Sequence, residues 1–218
     1  MPTATEPDSM TTVEVIPTGN TYDKYGSTNP VVKRLMTGFH GRLEELMATA
    51  KPSSILDVGC GEGVLTHRWA EQLDGGRVVG IDLDDEKLRA EWQRRDDLPN
   101  LSFTPALGER LPYQDNEFEM VCAIEVLEHV PDAAQVLYEM SRVGSKWLLV
   151  SVPREPLWRM LNIARGSYWR DLGNTPGHLN HWSKSSFARL LSHFGAVTEL
   201  RSPFPWTMAL VRSHPSRP

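Results

Sequence analysis

The chain has 218 residues, 40% hydrophobic and 23% charged, enough for one α/β domain with a sizeable core and too few for two ordinary ones. A net charge of −5, a pI of about 5.8 and the lack of a basic block argue against a nucleic-acid partner. No apolar run approaches the roughly 20 residues of a bilayer span, and Met1 to Thr12 lacks the pattern of a signal peptide. Residues 1–20 and 213–218 read as tails of a single domain over 21–212. The only cysteines, Cys60 and Cys122, fall at strand ends, which points to a reduced, cytoplasmic protein without disulfides.

In chain order, an amphipathic stretch from Pro30 to Ala50 comes first, with Val31, Leu35, Phe39, Leu43, Leu46 and Met47 at helical spacing. Short apolar runs then alternate with helical patterns, which predicts an α/β fold with a parallel sheet and crossover helices. The strands are expected at Ser54–Val58, Arg77–Ile81, Leu101–Thr104, Phe118–Ala123 and Lys146–Val152, and the helices at Val64–Leu73, Asp84–Arg94 and Asp132–Val143. After Val152 the alternation stops. Residues 153–183 form a long segment without a clear period, which an ordered domain rarely keeps without a use for it. A helix over Lys184–Phe194 and strands at Val197–Arg201 and Trp206–Arg212 complete the chain.

The first chemical motif is Ile55-Leu56-Asp57-Val58-Gly59-Cys60-Gly61-Glu62-Gly63, a strand entering a glycine-rich turn and then a helix. Glycine there lets the backbone turn tightly and approach a ligand closely. A dinucleotide fingerprint would place its third glycine on Val64; here it falls one residue early, on Gly63. At the end of the next strand, Asp82 can accept hydrogen bonds from both hydroxyls of a ribose, followed by Leu83. The alternative for Asp82 is a helix N-cap, a role that Asp84 fills better. A third stretch runs Phe103-Thr104-Pro105-Ala106-Leu107-Gly108-Glu109-Arg110-Leu111-Pro112-Tyr113.

These three stretches resemble the class I S-adenosylmethionine (SAM)-dependent methyltransferases over roughly Tyr22 to Val152. The resemblance implies a Rossmann-like doubly wound sheet of about seven strands, mostly parallel with an antiparallel last strand, and helices on both faces. It also implies SAM as cofactor, bound by Tyr22, Asp57, Gly59, Gly61, Asp82, Leu83, Leu107, Gly108, Glu109 and Glu125. Leu107 stands where the family usually carries an acid for the adenine amine. Tyr22 and Tyr25 match aromatic residues that close over the donor in relatives, or are ordinary surface tyrosines before a helix.

Past the fourth strand, Glu125-Val126-Leu127-Glu128-His129-Val130-Pro131-Asp132 resembles the quinone and small-molecule O-methyltransferase branch, in which members bind a divalent metal through both acids and the histidine. Glu125, Glu128 and His129 stand at i, i+3 and i+4, one side of a helical turn, and suit magnesium or a similar cation. In the alternative, Glu125 touches the donor and the other two cap a neighbouring helix. Activating a hydroxyl acceptor calls for a general base, and His129, His178 and His181 are the candidates.

Five of the seven tryptophans lie between Trp147 and Trp206. Trp158, Tyr168, Trp169 and Trp182, interleaved with arginines, predict an acceptor lid over residues 153–183, or else a homodimer interface. The general look of the chain is similar to actinobacterial sugar O-methyltransferases. The expected function is therefore methyl transfer from SAM to a hydroxyl of a small molecule, a sugar or glycoside preferred. A quinone, phenol or amine acceptor and a non-catalytic SAM- or nucleotide-binding module are the rival readings.

Overall fold

The computed structural model describes residues 29–164, 166 and 168–214. Tyr22, Tyr25, Arg165 and most of the two expected tails lie outside them. Seven strands form one sheet: β1 (Ser54–Val58), β2 (Arg77–Asp82), β3 (Leu101–Pro105), β4 (Phe118–Ile124), β5 (Gly144–Pro153), β6 (Gly195–Arg201) and β7 (Trp206–Ser213), in the order β3-β2-β1-β4-β5-β7-β6. β1 to β5 pair in parallel, while β7 runs antiparallel to both β5 and β6.

The helices are α1 (Pro30–Ala50), α2 (Val64–Gln72), α3 (Glu86–Gln93), α4 (Ala133–Val143), α5 (Leu157–Ala164) and α6 (Lys184–Leu191). α1 starts where the Asn29 side chain accepts from the Val31 amide at 2.9 Å and Pro30 supplies a preset φ. Helix α3 starts two residues later than the sequence suggests. Its cap is Asp85, whose carboxylate accepts from the Lys87 and Leu88 amides, while Asp84 pairs with Arg89 on the surface. α5 corrects the expectation of an irregular segment: Pro156 precedes it, and Leu157, Trp158 and Leu161 fall on one side of it. A short 3₁₀ turn follows at Trp169–Asp171.

Alternate residues along the strands feed two hydrophobic layers, as the two-residue period of a strand requires. Leu56, Val58, Val79, Ile81, Val121 and Ala123 pack with Val136, Leu137 and Met140 of α4 and with Phe187 and Leu191 of α6. Ile55, Val78, Met120 and Cys122 pack with Phe39, Leu43 and Leu46 of α1 and with Trp69 of α2. Each such buried side chain stabilises the fold by about 1.5–3 kcal/mol. Among the described residues, no helix is long and apolar enough to cross a membrane. Connections from β1 run toward β2 and β3, those from β4 toward β5, so the order switches between β1 and β4. A crevice beyond the carboxyl ends of strands at such a switch is where open α/β sheets bind ligands.

Candidate active site

The turn after β1 is built for close approach. Gly59, Gly61 and Gly63 have φ of 72°, 55° and 79°, values that an L side chain resists. A Cβ at Gly59 would also stand 2.5 Å from Val126 Cγ2, so the turn lies directly against the segment after β4. The Gly59 and Cys60 amides both donate to the Ile81 carbonyl, at 2.8 and 2.9 Å. Gly61 is held from two sides: its amide donates to Asp82 Oδ2 at 2.7 Å, and its carbonyl accepts from the Trp92 indole at 2.8 Å. Trp92 in turn stacks on Phe103, with ring centroids 5.5 Å apart.

Two carboxylates frame this turn. Asp57 is buried and accepts from Thr66 Oγ1 at 2.7 Å. Burial pushes its pKa up to about 7, against the Thr66 bond and with a further push from Asp82. Asp82 is raised too, chiefly by burial, while hydrogen bonds from the Leu83 and Gly61 amides oppose the rise. Beside it, the Ala106 amide donates to the Asp82 carbonyl at 2.9 Å, which sets the Leu107–Gly108–Glu109 turn next to the carboxylate. Leu107 is exposed, and the Glu109 carbonyl accepts from the Gln135 side chain.

On the other side of the crevice the expected trio changes membership. Glu125 has φ of 60°, a left-handed conformation, so the turn that carries Glu128 and His129 starts only after it. Its carboxylate accepts from Ser151 Oγ at 2.9 Å, and its amide faces the Ser151 carbonyl and hydroxyl on β5. Among the described residues, the groups that converge are Glu128, His129 and His178, with ligand atoms within 4.8 Å of one another. Glu128 is only 2% exposed, and His129 Nε2 lies 3.9 Å from its Oε1. His129 Nδ1 stands 3.1 Å from the Gly177 carbonyl. A carbonyl only accepts, so Nδ1 carries a proton in this contact.

A methyltransferase-domain family profile matches residues 56–146, the span from β1 to the start of β5 that holds both halves of this crevice. Those residues form a methyltransferase domain. A ubiquinone biosynthesis O-methyltransferase of Pseudomonas putida is 32% identical to this chain over 129 residues, 56% of this chain and 53% of that protein. An uncharacterized methyltransferase of Schizosaccharomyces pombe is 33% identical over 101 residues, 43% of this chain and 36% of that one. The chain thus spans about a third to a half of these curated relatives' length. In fold it is similar to magnesium protoporphyrin IX methyltransferase from Synechocystis with bound SAH, at a TM-score of 0.65 and 17% identity over 87% of this chain and 90% of that one. A SAM-dependent methyltransferase from Aquifex aeolicus gives a TM-score of 0.63 and 18% identity over 85% and 94%.

Around the methyltransferase domain, the segment after β5 brings some expected residues to the crevice and leaves others aside. Trp158 lies near parallel to His178 with centroids 6.1 Å apart and donates to Thr175 Oγ1 at 2.9 Å. Trp182 packs on Phe187 of the core, and Trp169 is 65% exposed. Tyr168 is half-buried ahead of the 3₁₀ turn. His181 stays outside the cluster: its Nε2 meets Arg159 Nη2 at 3.0 Å and Asn174 Oδ1 at 2.7 Å. Burial and the Arg159 charge lower its pKa. Sequence reasoning missed Thr66, Trp92, Ser151 and Asn180, whose roles depend on neighbours 9 to 53 residues away. Only Asn180, a short amide between two expected histidines, carried any local signal.

Proposed function

We propose that the protein transfers a methyl group from SAM to a hydroxyl of a small molecule. The observation that carries this reading is the set of groups at the strand ends: the Gly59–Gly63 turn with Asp57 and Asp82, and His129 held at Nδ1 by the Gly177 carbonyl after the neighbouring strand. Asp82 would accept from the ribose hydroxyls, and the Leu107–Glu109 turn would flank the adenine. Asp57 and Glu125 would face the cationic amino-acid end of the donor. In the reaction the sulfonium–methyl bond breaks as the oxygen–methyl bond forms. The hydroxyl proton passes to His129 Nε2, and S-adenosylhomocysteine leaves. Because the sulfonium already activates the methyl, most of the protein's work is alignment, worth about 7–11 kcal/mol in favourable cases.

Among acceptors, the relatives named for ubiquinone biosynthesis favour a phenol or quinol over the sugar that the tryptophan-rich segment first suggested. Trp158 against His178 offers a flat apolar face for such a ring. The convergence of Glu128, His129 and His178 favours one further reading. A carboxylate and two imidazoles fit zinc or another transition-metal cation better than magnesium, and a cation there would lower the pKa of an acceptor hydroxyl.

Radiolabelled methyl-SAM incubated with a catechol, a methyl glucoside and a primary amine tests the proposal. Label in the catechol is expected, and label in the glucoside would restore the sugar reading. Label in the amine alone would overturn hydroxyl transfer, and absence of SAM binding by calorimetry would overturn the enzyme reading altogether. Dialysis against a chelator separates the two routes to a reactive hydroxyl: only a bound cation makes turnover depend on an added divalent metal such as zinc or manganese.

A further inference from the structure

The turn that carries Glu128 and His129 is not held by its own strand or helix. It lies between β4 and α4, and the backbone bond within it runs from the His129 amide to the Val126 carbonyl, at 2.9 Å. Its Leu127, Glu128 and Val130 carbonyls are met from far along the chain. The Leu179 and Asn180 amides both donate to the Glu128 carbonyl, at 2.7 and 3.1 Å. The Asn180 side-chain nitrogen donates to the Leu127 carbonyl at 3.1 Å and to the Val130 carbonyl at 2.7 Å. The contact of His129 Nδ1 with the Gly177 carbonyl completes the set. One four-residue peptide, Gly177 to Asn180, thus grips the turn on both its carbonyls and its imidazole, and delivers His178 to the cluster.

The chemistry of the grip singles out asparagine. Both partners of the Asn180 side chain are carbonyl oxygens, so the atom between them must be the amide nitrogen, whose two hydrogens serve one carbonyl each. Aspartate has the same shape but offers only acceptors, and serine offers one donor. We propose that Asn180 is a positioning residue that makes the Glu128–His129 arrangement depend on docking of the Gly177–Asn180 peptide. Undocked, the turn loses five hydrogen bonds, among them the one that fixes the tautomer of His129, and His178 leaves the cluster. The donor half of the crevice, Gly59 to Gly63 with Asp57 and Asp82, makes no bond to this peptide among those described and keeps its shape. Calling the cluster the reacting side rests on the function proposed above; the grip itself does not.

The test compares wild type with Asn180→Asp, Asn180→Ala and Asn180→Ser. The readouts are SAM affinity by calorimetry and the long-range ¹H–¹⁵N spectrum of the histidine rings at about pH 8, where an ordinary imidazole is neutral. In the wild type His129 should show one tautomer, protonated at Nδ1. In Asn180→Asp and Asn180→Ala that signature should give way to mixed tautomers while SAM affinity stays within about twofold, since no hydrogen bond described links Asn180 to the Gly59–Gly63 turn. Asn180→Ser, with one donor, should recover part of it. Where an acceptor turns over, its rate should fall by about 10–100-fold in the aspartate variant, the usual range for a group acting through its neighbour, and rise again in the serine variant. An unchanged His129 signature in Asn180→Asp, with SAM bound, overturns the proposal. If that variant does not fold, the same result in Asn180→Ser and Asn180→Ala, both matching wild type, overturns it equally. Failure of the methyltransferase reading would show differently, as absent SAM binding in the wild type with the ring spectra still reporting the grip.

Discussion

Single residues at the crevice carry charges in places that disfavour them, and pH should expose this. Asp57 holds a pKa near 7 in the folded chain, against about 3.8 when solvated. The folded state therefore retains a proton that the unfolded chain releases, so stability falls as pH rises through that window and levels off above it. Thermal melts of the ligand-free protein should show this fall between about pH 4 and 7, flattened in Asp57→Asn, which keeps the shape and the Thr66 contact. Over the same range SAM should bind more tightly as pH rises, because the ionised carboxylate favours the cationic donor; in Asp57→Asn that trend should vanish. Glu125 makes the complementary case. A non-glycine residue at φ of 60° costs roughly 1–2 kcal/mol, and such strain persists where the surroundings hold it. Replacement by glycine should leave unfolding free energy within about 1 kcal/mol in urea titrations, since relief of strain offsets the lost Ser151 bond, while SAM affinity drops. Asp57, Gly59, Gly61 and Asp82 could be singled out from the sequence because the signal lies in local spacing. The left-handed turn at Glu125 could not be, since helical spacing alone suggested one continuous turn from that residue on.

At the scale of elements, the strands were easier to read than what joins them. β1 and α1 were found with their bounds, since a five-residue apolar run and a 3.6-residue stripe are strong signals. The strap from Leu111 to Asp115 was not, for its order comes from a helix on the other side of β4. Arg142 of α4 donates to the Tyr113 carbonyl at 2.8 Å, to the Leu111 carbonyl at 3.0 Å and to Asp115, while Glu139 beside it accepts from the Leu111 amide at 2.9 Å. Arg142→Met should keep much of the aliphatic packing and lose every one of the arginine's bonds. We expect a loss of about 1–3 kcal/mol in urea unfolding together with weaker SAM binding, because the strap continues the turn beside Asp82. α5 escaped detection for a similar reason. Its eight residues sit among prolines, glycines and aromatics whose pairing partners, such as Thr175 for Trp158 and Gly173 for Asn162, become visible only in three dimensions.

For the whole molecule, alternation of strand and helix was enough to foresee a parallel sheet with both faces covered, because both faces must be buried for that alternation to pay off. The burial bears it out: Phe187 of α6 is fully buried in the layer shared with α4. Phe187→Ala should cost about 3–5 kcal/mol, read from the midpoint of a urea transition, and should release Trp182, which packs on it. The order of the last two strands was beyond reach, since nothing local tells a chain to insert its final strand rather than append it. That insertion has a consequence for synthesis on the ribosome. β7 fills the gap between β5 and β6, so a nascent chain that has already made β5 and β6 cannot join them until residues 206–213 emerge. Until then β5 presents a bare edge of buried-type residues, Leu148 to Val152, to any passing strand. Translational pauses between residues 153 and 206 should therefore be the moments at which this protein is most in need of a chaperone.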